Sequence, residues 1–264
     1  MTGTGKVFLI GAGPGDPELM TLRAVRMLKA ADAVVHDRLV SPEILGMAPA
    51  GARMIPVGKA PKCHTVPQER INEILLDLAR AGLTVARLKG GDAMIFGRGS
   101  EEAAYLTTRG VAVDHAPGIT AAQGMAAATG VPLTHRGLAT GVRYVTGHRA
   151  RDARLELDWK SLASEETTLV IYMGVANIAE IALRLMAHGL PGTLPVLAVS
   201  NATTPREARL VSRLDRIGPD MAAADAMAAP VLFVVGHIVS LYRAGAPLEE
   251  LLEGGPAPAV LAGE

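Results

Sequence analysis

The pattern of apolar and polar positions predicts that strands and helices alternate along the first half of the chain. Short apolar runs at Val7–Ile10, Ala33–His36, Thr84–Leu88 and Ala112–His115 have the length of buried strands. Apolar residues at helical spacing fill the intervals between them, and 68–80 has the pattern of an amphipathic helix. Because the two kinds of element alternate, the pattern favours a doubly wound, mostly parallel sheet. Further helices are expected at 22–29, at 101–109 and in an alanine-rich segment that ends at Gly130.

In the second half, the predicted strands follow one another more closely. They lie near Arg143–Thr146, Thr168–Tyr172, Pro195–Val199, Arg209–Arg213 and Val231–Val235. A helix near 175–188 separates two of the earlier strands, whereas the later ones leave little room for long crossover connections. We therefore expect hairpins and a mixed sheet in this half of the chain.

A segment that contains Pro132, from Gly130 to Gly141, is the expected hinge between two α/β domains. The sequence thus predicts an N-terminal domain at residues 1–134, which carries the glycine-rich loops, and a C-terminal domain at residues 135–245. Residues 246–264 are rich in Ala, Pro and Gly, and we expect them to form a flexible tail.

Composition narrows the class of protein. The chain has 264 residues, of which 49% are hydrophobic and 20% charged, which is typical of a globular protein. Lys plus Arg and Asp plus Glu both total 26, so no net charge favours nucleic acid or membrane surfaces as partners. One cysteine, Cys63, excludes an internal disulfide, and neither a signal peptide nor an uninterrupted apolar run of about 18 residues is present. We therefore expect a cytoplasmic protein.

A glycine-rich loop, GAGPGD at residues 11–16, follows the first predicted strand. Glycines in this place let the backbone approach a ligand at the carboxyl edge of a sheet. The dinucleotide-binding pattern has Gly where this chain has Asp16, and Pro14 removes an amide that could bond a phosphate. The loop therefore fits a nucleoside-like ligand without phosphates better than a nicotinamide dinucleotide, the alternative being a tight turn that binds nothing.

Two further places carry candidate chemistry. Asp37 follows the second predicted strand, where it could orient a substrate, accept a proton or hold a ribose, or simply be a solvated loop residue. The segment 87–102, RLKGGDAMIFGRGSEE, concentrates glycines and charges after a strand. Its Arg98 offers a planar fork for a carboxylate, and the alternative is a surface loop whose charges pair with one another.

Basic residues also cluster in THR at 134–136 and TGHRAR at 146–151. In a chain without net charge, such clusters near a domain junction indicate an anionic ligand. The spacing of His, Cys, Asp and Glu resembles no metal site, and none is expected.

Taken in order, these segments resemble the uroporphyrinogen-III C-methyltransferases, a branch of the tetrapyrrole (corrin) methylase family. The resemblance runs from about Val7 to about Val239. GAGPGD and PGIT are motifs of the wider family, whereas RLKGGD, IFGRG, EE and PLTHR together point to this branch. The segments HDRLVS, VGK, VPQERIN, VTGH and YMG add to it.

The resemblance implies a two-domain α/β homodimer that binds S-adenosylmethionine in the cleft between its domains and releases S-adenosylhomocysteine. It further implies methylation of uroporphyrinogen III at ring carbons 2 and 7, which gives precorrin-2 for sirohaem, cobalamin or haem d1 synthesis. Residues matching the cofactor-lining positions of the family are Pro14, Gly90, Gly91, Asp92, Ile95, Thr120, Ala121, Met173 and Ala202.

The same resemblance assigns catalytic and substrate roles. Asp37 and Lys59 match a proton acceptor and donor, and Arg98 and Glu101 match further catalytic positions. Eight substrate carboxylates would explain the basic clusters, with Arg98, Arg136, His148 and Arg149 as candidate partners and Arg87 as an additional one.

The chain departs from the family at His36, Ala93, Met94 and Ser100, where Tyr, Pro, Phe and Gly are usual, but keeps every candidate catalytic group. It carries no dehydrogenase–ferrochelatase segment of the kind fused to some relatives, so we expect a methyltransferase only. The alternatives are another precorrin methyltransferase of the family and, with less support, a nicotinamide-dependent oxidoreductase.

Overall fold

A computed structural model describes residues 4–58, 66–148 and 155–243. Contacts between Cα atoms divide the chain into two compact units, Met1–Gly124 and Met125–Glu264. The division falls within a helix, Ala121–Thr129, whereas the boundary that we expect from the sequence, at residue 134, lies in the segment after it. That boundary stays a prediction, and the tail predicted at 246–264 lies outside the described residues.

The first unit is a parallel sheet with helices on both faces. Its elements are β1 (Lys6–Gly11), α1 (Leu22–Lys29), β2 (Ala33–His36), α2 (Pro42–Leu45), β3 (Arg53–Pro56), α3 (Gln68–Arg80), β4 (Thr84–Lys89), α4 (Gly99–Thr107), β5 (Ala112–Ala116) and the start of α5 (Ala121–Thr129), which continues into the second unit. The strands lie in the order β3-β2-β4-β1-β5, and every neighbouring pair is parallel. All five strands therefore end at one edge, here called the carboxyl edge of the first sheet.

Alternation along the strands explains why this sheet is covered twice. Side chains of one parity, such as Ile10 and Leu88, pack with α1 and α2, and those of the other parity, such as Leu9 and Val85, pack with α3 and α4. Because successive side chains of a strand point to opposite faces, a run that is apolar throughout must be buried on both.

The second unit contains a mixed sheet. Its elements are β6 (Gly141–Thr146), α6 (Trp159–Leu162), β7 (Thr167–Tyr172), α7 (Ile178–Ala187), β8 (Pro195–Ser200), β9 (Ala208–Arg213), α8 (Ile217–Ala223) and β10 (Val231–Val235). The order is β6-β7-β10-β8-β9, in which β6 and β7 are parallel and the other pairs antiparallel. Since β10 runs against both β7 and β8, the strands β6, β7 and β8 end at the same edge.

The expected α/β class, with a parallel sheet followed by a mixed one, is confirmed. The sequence pattern missed β3 because this edge strand is mostly exposed and has no apolar run. It also missed α2 and α6, which are four residues long and too short for a helical period to show. The helix predicted at Glu101–Arg109 begins two residues earlier, at Gly99.

Candidate active site

Three loops meet backbone to backbone at the carboxyl edge of the first sheet. Gly13 and Gly91 exchange two hydrogen bonds, with N···O distances of 3.1 and 2.7 Å. A Cβ added to Gly118 would lie 2.8 Å from the Cα of Gly11 and closer still to the carbonyl oxygen of Gly91. Gly11 and Gly118 are therefore required because the main chains pack without room for a side chain, and Gly91 because of its positive φ of 68°.

Asp92 fastens two of these loops together. Its Oδ1 accepts a hydrogen bond from the Met94 amide at 2.7 Å, and its Oδ2 accepts one from the Gly118 amide at 2.9 Å. The side chain thus organises the loops after β4 and β5. Its expected place in the lining of a cofactor pocket stays a prediction.

The loop after β1 is unsuited to a phosphate, because one position lacks an amide donor and another carries a negative charge. Pro14 has no amide hydrogen, and the Asp16 carboxylate accepts a hydrogen bond from the Glu18 amide at 2.8 Å, capping a short 3-10 helix at Pro17–Leu19. The neighbouring loop is tied on by Ser41, whose hydroxyl donates to the Gly15 carbonyl at 2.8 Å.

Four charged side chains form a cluster behind this edge, between β4 and the helix α4. Arg87 donates to Asp37 at 2.7 Å and to Glu102 at 3.2 Å, and Lys89 lies 3.1 Å from Glu102 and 3.6 Å from Asp37. Arg87, Lys89 and Glu102 are buried, whereas the Asp37 side chain keeps 30% of its surface exposed. Asp37 is therefore the one member of this cluster that offers a substantial surface to a ligand.

This arrangement corrects one expectation for Arg87. Its guanidinium, with 1% of the side-chain surface exposed, is committed to two carboxylates inside the protein. It cannot also clamp a substrate carboxylate, because a buried cation must keep its compensating partners.

Arg98 and Glu101 form an exposed pair at the start of α4. Arg98 precedes the helix in a left-handed conformation, with φ 58°, and donates to Glu101 through both Nε and Nη2. This hydrogen bonding lowers the pKa of Glu101 and raises that of Arg98, so both are charged near neutral pH. About half of each side chain remains exposed, which leaves the pair accessible to a carboxylate-bearing ligand.

Thr120 and Ala121 begin α5 at the same edge. The Thr120 hydroxyl accepts a hydrogen bond from the backbone N–H of Gln123 at 3.4 Å. The Gln123 side-chain carbonyl accepts one from the backbone N–H of Thr120 at 3.3 Å. This reciprocal capping box fixes the point at which the helix begins. The expected site residues Gly90 and Ile95 lie in the loop between β4 and α4.

In the second unit, the expected residues follow three strands that end together. His148 lies after β6, Met173 after β7 and Ala202 after β8. Met173 has a left-handed φ of 54°, and Ala202 stands between Asn201 and Thr203, with φ of 46° and 66°. Backbone strain of this kind in side-chain-bearing residues is concentrated at functional sites.

Of the three remaining expected residues, the structure describes only Arg136. Arg136 is exposed in a turn that precedes the amino end of β6, closed by a bridge between His135 and Ala139. Lys59 and Arg149 lie outside the described residues.

The sequence pattern missed Lys89 and Glu102. A signal was present, because Arg87 and Lys89 are two residues apart in an otherwise apolar strand and therefore point to the same buried face. Two buried cations require buried acceptors, and the acidic residues in the same segment, Asp92, Glu101 and Glu102, are the candidate sources. Among the described residues, His, Cys, Asp and Glu form no group of three or more suited to a metal ion.

Comparison with known proteins shows the family to which the chain belongs. Residues 6–218 match the family model described as tetrapyrrole (corrin/porphyrin) methylases. The chain therefore belongs to the tetrapyrrole methylase family.

Within that family, the resemblance to uroporphyrinogen-III C-methyltransferases is confirmed. The chain is 60% identical to the enzyme of that name from Paracoccus denitrificans strain Pd 1222, over 94% of this chain and 86% of the relative. It is 47% identical to the siroheme synthase of Nitrosospira multiformis over 90% of this chain, but spans only half of that protein's length.

A solved structure agrees with the sequence relatives. The uroporphyrin-III C-methyl transferase of Thermus thermophilus, complexed with S-adenyl homocysteine, is 41% identical and superposes with a TM-score of 0.78. The match covers 90% of this chain and all of that one. Within the described part of the chain, no helix is long and apolar enough to cross a membrane.

Proposed function

We propose that this protein is an S-adenosylmethionine-dependent C-methyltransferase that methylates uroporphyrinogen III at ring carbons 2 and 7. The product would be precorrin-2, the precursor of sirohaem, cobalamin and haem d1. The observation that carries the proposal is the 60% identity, over 94% of the chain, to a protein named for this activity.

The loops at the carboxyl edge of the first sheet fit the proposed cofactor. Gly13, Gly91 and Gly118 bring main chain to the edge without side chains, which suits close contact with a nucleoside. Pro14 and Asp16 offer nothing to a pyrophosphate, in agreement with a cofactor that has none. The structure of the Thermus thermophilus relative is a complex with S-adenyl homocysteine, which is the cofactor after loss of its methyl group.

When bound, S-adenosylmethionine supplies an electrophilic methyl group on sulfur, which an electron-rich pyrrole carbon can accept. The protein's own contribution is to align the two partners and to exclude water. Asp37 would orient the substrate through its exposed carboxylate, or take the proton that the methylated ring carbon must lose. Arg98, Arg136, His148 and Arg149 would bind substrate carboxylates, and Lys59 would act as a proton donor.

The test is to incubate the protein without oxygen with uroporphyrinogen III and S-adenosylmethionine carrying a labelled methyl group. Incorporation of two methyl groups per tetrapyrrole, at ring carbons 2 and 7, is the expected result. One methyl group would point to another precorrin methyltransferase of the family. No incorporation into an otherwise folded protein would refute the proposal.

We expect a homodimer, as the family resemblance implies, and a cytoplasmic location, as the composition of the sequence indicates. Sedimentation equilibrium of the 264-residue chain distinguishes a dimer from its 27.4 kDa monomer. A monomer that turns over at full rate would show that the dimer is not required.

A further inference from the structure

Glu102 lies at the centre of the buried charge cluster, and its exposed fraction is 0%. Its carboxylate accepts hydrogen bonds from Arg87, from Lys89 at 3.1 Å, and from the Gln68 amide at 3.0 Å. The side chain of Gln68 also donates to Asn72, at 3.1 Å, so α3 supports the cluster from behind. A carboxylate with this many donors has one fixed position.

The four charges balance. Two cations, Arg87 and Lys89, face two carboxylates, Asp37 and Glu102, and both cations contact both carboxylates within 3.6 Å. Burying an ion costs free energy of desolvation, and the burial is tolerated only when a partner compensates the charge. Because Glu102 is enclosed, it cannot touch a ligand, and its effect must pass through the cations to Asp37.

The two carboxylate oxygens of Asp37 have different contacts. Asp37 Oδ1 receives the short bond from Arg87, at 2.7 Å, whereas Asp37 Oδ2 has the longer contact with Lys89, at 3.6 Å. This second oxygen belongs to a side chain that is 30% exposed. Asp37 is thus held closely by Arg87 at one oxygen and more loosely by Lys89 at the other, while its side chain keeps an exposed surface for a ligand.

We propose that Glu102 is a positioning residue, which holds Arg87 and Lys89 against Asp37 and neutralises one of their two charges. The inference rests on the proposed function, since it assigns Asp37 to the methylation reaction. With Glu102 present, Asp37 faces a net single positive charge. Without it, Asp37 faces two uncompensated cations and becomes a weaker proton acceptor and a weaker partner for a substrate N–H group.

Beyond the four-charge cluster, charged groups also stand on the segment that carries Asp37 and on α4, the helix that carries Glu102. On its own segment, the His36 ring lies 3.3 Å from the Asp37 carbonyl oxygen, and Arg38 is exposed. On α4, beyond Glu102, the pair of Arg98 and Glu101 is exposed and neutral as a whole. The loss of Glu102 is therefore the change that raises the positive charge facing Asp37 while leaving both of its direct contacts in place.

The test compares Glu102→Gln with the unaltered protein by the pH dependence of methyl transfer. We expect kcat at neutral pH to fall about ten-fold or more and KM for S-adenosylmethionine to change less than about three-fold. The acid limb of the kcat profile should move to lower pH by about one unit, because a carboxylate beside two uncompensated cations resists protonation. Glu102→Asp should keep the acid limb of the unaltered protein.

The direction of that movement separates positioning from a merely structural role. A variant that had only lost stability would unfold earlier in acid, and its acid limb would move to higher pH. Asp32→Asn is the matched control, since Asp32 accepts a hydrogen bond from Thr84 at the opposite end of β4. The pH profile of kcat for Asp32→Asn should match that of the unaltered protein. Any effect of protonating the substrate would appear equally in both profiles.

A double variant, Glu102→Gln with Lys89→Gln, keeps the inference testable where Glu102→Gln fails to fold. It removes one charge of each sign, so the cluster is balanced again and Asp37 faces one cation. We expect it to fold, with an acid limb within about 0.3 pH units of the unaltered protein. Failure of the double variant to fold, or an unmoved or raised acid limb in Glu102→Gln, would overturn the inference.

Failure of the proposed function is seen separately. It would appear as absent turnover in the unaltered protein, whatever the variants do. In that event the thermal stability of the single and double variants still decides whether charge balance at Glu102 maintains the cluster, since only the double variant should regain the original melting temperature.

Discussion

At the scale of single residues, Asp37 differs from an ordinary loop aspartate because two cations of β4 hold it. The sequence placed it at a strand end, where a solvated carboxylate was an equally good interpretation. Its contact with the buried guanidinium of Arg87, at 2.7 Å, makes it part of a fixed cluster with an exposed face.

Asp37→Asn should lower kcat by about 100-fold, since an amide of the same shape neither carries charge nor accepts a proton. Binding of S-adenosylhomocysteine, measured by calorimetry, should change less than about three-fold if the carboxylate acts on the substrate. Full turnover with unchanged substrate affinity would show that Asp37 has no part in the reaction.

Arg98→Ala should reduce turnover more than it reduces cofactor affinity. The pair with Glu101 is half exposed, so its loss should move the melting temperature by less than about 2 °C. Arg70 is the matched control, since it forms an exposed pair with Glu73 at the same spacing and with similar exposure. Equal losses of turnover and cofactor affinity in Arg98→Ala, or the same losses in Arg70→Ala, would make Arg98 structural.

At the scale of elements, the site is made by loops that follow parallel strands. Each strand of the first sheet brings its own loop to the same edge, and small residues let these loops touch. The left-handed residues after β7 and β8 mark the corresponding edge of the second sheet. The positions of the loops are therefore determined by the whole sheet, and no single sequence motif determines them.

Gly118→Ala tests this packing. The added methyl group would press on Gly11 and Gly91, and we expect a loss of about 2 kcal/mol in the free energy of unfolding. Affinity for S-adenosylhomocysteine should fall about ten-fold, or about 1.4 kcal/mol, as the loops separate. Gly51→Ala is the control, because a Cβ there meets no atom within 4 Å. Unchanged affinity in Gly118→Ala would show that the loops do not shape the cofactor site.

At the scale of the whole molecule, the proposed cofactor should stabilise the fold and a nicotinamide dinucleotide should not. S-adenosylhomocysteine at 100 times its Kd would add about 2.7 kcal/mol to the free energy of unfolding. Thermal melts with either ligand measure this directly. A rise in melting temperature with NADH alone would favour an oxidoreductase instead.

The sequence by itself determined the class of fold, most strand and helix positions and the family. These follow from local causes, since the period of apolar residues sets the type of element, and glycine and proline mark the turns. The helix at Gln68–Arg80 and the strand at Val231–Val235 were predicted with their observed bounds. Exposed or very short elements, such as β3 and α2, escaped because they carry no apolar period.

Tertiary structure alone decided which charges face one another. The sequence grouped Arg87 with the substrate-binding cations, but the parallel pairing of β2 with β4 and the packing of α4 place it between Asp37 and Glu102. Partners that lie 50 and 15 residues away cannot be chosen from local pattern. Burial then decides their role, because a buried cation must remain with its carboxylates while an exposed one is free to bind a ligand.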